Sequence, residues 1–160
     1  MRLAVANLGT TLTSLPDGET GERHNWIIHI LEGFRTHPDL VLKKDGDWSD
    51  YDKIPQFRIR RGHTLRADSL DFGHVANFKE SWPAFRRLRE EQHAPDLAYQ
   101  AGVPGDFDMA LFTLGPAGAF RHRAVFRQAT LREIREIYRL AGKDVVFQIE
   151  IPAELAFVAR

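Results

Sequence analysis

Cysteine is missing altogether from this 160-residue chain. That excludes disulfides and thiolate metal sites, and it fits a reducing compartment such as the cytoplasm. Long apolar runs are missing too. None approaches the ~20 residues that a membrane-spanning helix needs, and no signal-peptide pattern follows Met1. Charge of one sign is not in excess, because 22 basic and 22 acidic side chains cancel. A chain without a net field is not drawn as a whole to nucleic acid or to an anionic membrane. There is no internal repeat, low-complexity tract, phosphate-binding loop, dinucleotide fingerprint or nucleophile elbow. What the chain does have is 43 % hydrophobic residues and a good supply of aromatics, 11 of them phenylalanine. At this length a single domain buries ~70 % of the surface its unfolded chain exposes.

The order of patterns is that of an α/β protein with parallel crossovers. Residues 1–8 fit either a short strand or the tail of a helix. A short strand over 11–15 runs into an acidic loop, and a helix over 25–34 comes after it, with Trp26, Ile27, Ile30, Leu31 and Phe34 on one face. Residues 36–73 are polar and irregular. Within them QFRIRRGHTLRADSLDF alternates apolar and basic residues, which predicts a hairpin turning near Gly62 and His63. Next come a helix over 74–92, in which Pro83 either makes a kink or marks a new first turn, and a buried strand over 97–103. A short helix from Asp106 to Leu114 precedes a GPAGA loop, and Thr130 is expected to cap a further helix that Gly142 stops. DVVFQIEIP is the strongest strand pattern, continuous and apolar, as parallel strands covered on both faces are. With three or four parallel strands, at least one sheet edge stays open. The strands over 97–103 and 145–151 are too apolar to leave uncovered, so a homodimer or larger oligomer is expected.

Two constellations carry chemistry. PDGETGER places Asp17, Glu19 and Glu22 where a parallel strand passes to a helix, the position at which α/β proteins bind ligands. Arg23 can organise one of those carboxylates, and Gly18 and Gly21 let the backbone approach a ligand. Acidic groups there suit a cationic partner such as an ammonium; the plainer reading is a solvated loop that caps the next helix. In FQIEIPAEL, Gln148 and Glu150 share one face of the strand. A carboxylate inside an apolar strand is expensive unless paired, so Glu150 is a site residue or half of an ion pair. Glu154 fits a cap on the next segment. Arg58, Arg60, Arg61 and Arg66 with Phe57 and His63 have the composition of a nucleic-acid patch, but charge neutrality favours a solvated hairpin face. The seven histidines, His24, His29 and His122 among them, show no metal spacing. Neither a metal nor a cofactor is expected.

PDGETGER with NWI, GVPGDFDMALFTLGPAGAFRHR, and VVFQIEIPAEL resemble the cobalamin-independent methionine synthase family, within the superfamily that includes uroporphyrinogen decarboxylase. Gly18, Glu19 and Arg23 resemble its His-Gly-Glu…Arg segment, with one extra residue and Asp17 in the histidine's place. FQIEIPAEL resembles its Gln-Ile-Asp-Glu-Pro-Ala-Leu strand, with Glu150 at the Asp and Pro152 at the Pro; Ile151 stands where that family has a Glu. The resemblance implies an incomplete (β/α)8 barrel of about three to four parallel strands in a single domain, with an insertion at about 36–73. It makes residues 1–8 the end of a barrel helix. It also implies an amino-acid or thiol-type small molecule held by Asp17, Glu19, Arg23, Trp26, Gln148 and Glu150. The family's zinc ligands belong to a part of the barrel outside this chain, so methyl transfer is implied only by kinship. A non-catalytic assembly module, or the product of a split or truncated gene, is the competing expectation. Hydrolase or lyase chemistry by Asp17 and Glu150 is a third.

Overall fold

A computed structural model describes residues 1–16, 23, 25–49 and 53–158. Its first segment is a helix, α1 (Arg2–Leu8), followed by a 3-10 turn at Gly9–Thr11 and a three-residue strand, β1 (Ser14–Pro16). Then come α2 (Trp26–Gly33), β2 (Leu40–Lys44), β3 (Gln56–Ile59), α3 (His74–Glu91) and β4 (Ala98–Pro104). The chain ends in α4 (Asp106–Ala141), β5 (Val145–Glu150) and α5 (Pro152–Val158). It divides into two compact units, each built from three separate stretches.

The first unit comprises Met1–Glu19, Gly73–Val103 and Arg132–Ile149. Its centre is a three-stranded sheet in the order β1-β4-β5, with β1 and β4 parallel and Leu15 opposite Tyr99. The fold is thus mixed α/β, with a mostly parallel sheet and flanking helices. In α3, Phe78, Trp82 and Phe85 recur at i, i+4 and i+7 and so share one face. Phe78 stacks on Trp82 at 5.1 Å and Trp82 on Phe85 at 5.5 Å. Tyr99 of β4 meets all three rings edge-on at 5.2–5.8 Å, a geometry the ring quadrupoles favour. Pro83 lies inside α3 without ending it. Two faces of β4 then differ: Tyr99, Ala101 and Val103 are buried, whereas Gln100 is half-buried and Gly102 exposed.

The second unit comprises Thr20–Phe72, Pro104–Leu131 and Glu150–Arg160. Asn25 caps α2, its Oδ1 accepting from the Ile28 N–H at 3.5 Å. Phe34 meets Phe57 and Phe72 edge-on at 6.3 and 6.4 Å, and Phe72 stacks on Phe126 of α4 at 6.4 Å. Leu65, Leu70, Met109 and Ala110 fill the remaining core.

Four expectations are corrected. The hairpin exists, but β3 pairs antiparallel with β2, which precedes it, and not with the segment after Gly62. Leu40, opposite Ile59, is buried, and the later segment contributes Leu65, Leu70 and Phe72 to the same core without forming a strand. The GPAGA stretch is helical apart from Gly115, whose φ of 72° and ψ of 177° break α4 into arms over 106–114 and 116–141. Thr130 caps nothing; it is 6 % exposed within the second arm, and its Oγ1 has no hydrogen-bond partner among the described residues. Finally, β5 is not covered on both faces. Val146 is 42 % exposed and Gln148 is exposed, while Val145 and Phe147 of opposite parity pack into the core of the first unit. An apolar run alone does not distinguish a two-sided from a one-sided strand.

Candidate functional site

Strand carboxyl ends organise the second unit's candidate groups. Gly105, just past β4, donates its N–H to the Glu150 carbonyl at the end of β5, at 2.7 Å. The two β–α junctions are therefore side by side. Asp108, in the first turn of α4, is fully buried. Its Oδ1 accepts from the Ala153 N–H at 3.1 Å. A buried carboxylate is costly unless hydrogen-bonded, and here it satisfies one of the orphan donors that open α5. Asp106 pairs with Arg123 at 3.5 Å. Glu150 itself is half-buried and has an interaction partner.

Arg23 and Trp26 belong to the same unit. Arg23 is half-buried and engaged. Trp26 is the first residue of α2 and packs partly against the core. Asp17, Gly18, Glu19, Gly21, Glu22 and His24 lie outside the described residues.

In the first unit, Gln148 is part of a polar ladder across the open face of the sheet. Ser14 Oγ donates to Gln100 Oε1 at 2.8 Å, and Gln100 Nε2 donates to Gln148 Oε1 at 2.5 Å. One side chain from each of the three strands takes part. Such a chain fixes the amide orientations and offers further donors and acceptors to a polar ligand. Sequence reasoning finds Gln148 and misses Ser14 and Gln100. Yet Gln100 carries the same signal as Glu150, a polar residue interrupting an apolar strand. Asp108 escapes notice for a different reason: an acid in a first helical turn ordinarily serves its own helix.

Among the described residues, no group of three or more His, Asp or Glu side chains is placed to hold a metal ion. No helix among them is long and apolar enough to cross a membrane. No family model matches the chain, no curated protein matches it, and no solved structure matches it.

Proposed function

We propose that the chain is a portion of a methionine synthase-like (β/α)8 layer that binds a small amino- or thiol-bearing molecule. The observation that carries this reading is the Gly105–Glu150 hydrogen bond, which sets two β–α junctions next to each other at strand carboxyl ends, where singly wound α/β proteins bind ligands. The strand order β1-β4-β5 follows the chain, as successive strands of such a barrel do. The ligand-holding residues on this reading are Asp17, Glu19, Arg23, Trp26, Gln148 and Glu150. Carboxylates fix a cationic ammonium, and any chemistry rests on positioning and proton transfer by these groups. Thermal-shift titration with homocysteine and methionine tests it. Stabilisation that Glu19→Gln and Glu150→Gln each abolish is expected; a chain indifferent to both compounds removes the idea.

A second reading is supported by a separate observation. β5 is the outer strand of its sheet, and Val146 and Ile149 are 42 % and 51 % exposed. On this reading the chain is an oligomeric assembly module, two copies meeting at that edge.

A further inference from the structure

The basic hairpin of the second unit contains a feature that the proposed ligand site does not use. Arg60, Arg61, Gly62 and His63 form a β-turn, closed by the His63 N–H donating to the Arg60 carbonyl at 3.0 Å. Gly62 has a φ of 81°, which glycine adopts without strain at the third position of a type II turn. The turn returns His63 to the start of β2, where its Nδ1 lies 2.9 Å from Asp39 Oδ1. A carboxylate only accepts, so Nδ1 carries a proton, and Nε2 is directed away from Asp39.

The carboxylate is itself held. The Asp39 N–H donates to His37 Nδ1 at 3.1 Å, and Ser69 Oγ, whose shorter bond is to the Arg66 carbonyl at 2.9 Å, lies 3.5 Å from Asp39 Oδ2. His37 uses its other nitrogen on the Ser69 carbonyl at 2.9 Å, so both of its ring nitrogens are spent. The bond from His63, above all, holds the Asp39 carboxyl below the usual carboxylate range. His63 is thus an oriented, exposed imidazole.

Charge surrounds it. The segment QFRIRRGHTLR contains four arginines and no acid, although the whole chain is neutral. Arg60 is tied to the Pro38 carbonyl at 2.9 Å and Arg66 to Asp68 at 3.1 Å. Arg58 and Arg61 are exposed, and neither has a hydrogen-bond or ion-pair partner among the described residues. The register Val41↔Arg58 and Leu40↔Ile59, with Leu40 buried, puts Arg58 on the outward face of the hairpin together with Asp39. Two exposed guanidiniums without counter-ions and an exposed imidazole, all within residues 58–63, make a set of groups suited to a phosphate monoester. Guanidinium forks match phosphate oxygens, and the imidazole offers one further hydrogen bond through Nε2.

We propose that the outward face of the β2–β3 hairpin binds a small soluble phosphomonoester, Arg58 and Arg61 supplying charge and His63 Nε2 the directional hydrogen bond. Titration of the full chain with inorganic phosphate, followed by NMR of the histidine rings, tests it. Phosphate is expected to move the His63 ring signals saturably, and Arg61→Ala, Arg58→Ala and His63→Ala each to weaken binding at least fivefold. Arg87→Ala, which removes one exposed positive charge from α3, is expected to leave it unchanged. Unmoved His63 signals overturn the proposal, as does an equal loss on Arg87→Ala. Retention of affinity by a folded Arg58→Ala/Arg61→Ala chain also overturns it, as does preference for a single-stranded oligonucleotide over phosphate. Arg61 sits exposed in a turn, so its variant remains informative even where His63→Ala disturbs the fold.

Discussion

Arg89 is held by three groups in the first unit. Its Nη2 donates to Asp144 at 2.8 Å, its Nη1 to the Leu97 carbonyl at 3.5 Å, and its guanidinium lies 5.8 Å from the Phe85 ring centroid. Arg89→Ala therefore removes packing as well as charge and should cost roughly 1–3 kcal/mol in a urea melt. The Arg89 hydrogen bond holds the Asp144 carboxyl below the ordinary aspartate range. A depressed acid stabilises the fold above the unfolded pKa of ~3.9 and loses that contribution as pH falls through the lower folded value. The native chain should accordingly lose more stability than Asp144→Asn below about pH 4; parallel acid titrations by circular dichroism check this. Glu133 is the other informative side chain. It is 2 % exposed, and its Oε2 accepts from the His74 N–H at 3.0 Å. It caps α3 from another element, because Gly73 at the cap position has no side chain to do so. Glu133→Ala should cost about 1–2 kcal/mol, and Glu133→Gln, which keeps an acceptor, less. Equal losses would show that the cap is not the cause. Neither Glu133 nor Arg89 stands out in the sequence. A long-range cap and a two-residue ion pair leave no periodicity.

Among the elements, α4 shows how one backbone angle sets a boundary. Gly115 lies in a region of φ/ψ that side chains rarely enter, and a β-carbon there would meet Gln56 Oε1 at 3.4 Å. Gly115→Ala should destabilise by roughly 1–3 kcal/mol, read as a shift of the denaturation midpoint. Pro116 opens the second arm, where its missing N–H has no partner to lose, so Pro116→Ala should be nearly neutral; a larger loss there than at Gly115 contradicts this account. The sequence shows both residues plainly. It does not show that helix resumes at once, because GPAGA has the composition of a turn. The partner of β3 is hidden for a related reason. Alternation on either side of Gly62 is similar, and both β2 and the later segment place residues in the core of the second unit, so an apolar pattern does not single out the partner. Leu40 and Phe57 are almost fully buried there.

For the molecule as a whole, the discontinuity of both units means that no single cut in the chain separates them. Their hydrophobic clusters are distinct, one around Tyr99 and one around Phe126. The open edge of β5 governs association on the assembly reading. Val146→Lys with Ile149→Lys is expected to shift the chain to monomer in light scattering while leaving its circular dichroism intact, since charges blunt an exposed strand edge. A native chain that is already monomeric at micromolar concentration removes that reading and leaves the ligand site standing.

Element types are legible in local pattern. Apolar spacing in 74–91, the Gly142 stop and the β-branched run from Val145 are each readable within a few neighbouring residues, because helix and strand periods act locally. Partnership is not. That β3 turns back to β2, that Asp108 serves α5, and that Gln100 links Ser14 to Gln148 depend on residues brought together from 12 to 86 positions apart. The same is true of exposure. A strand's composition states that it is apolar, but only the elements packed against it decide which of its two faces water reaches.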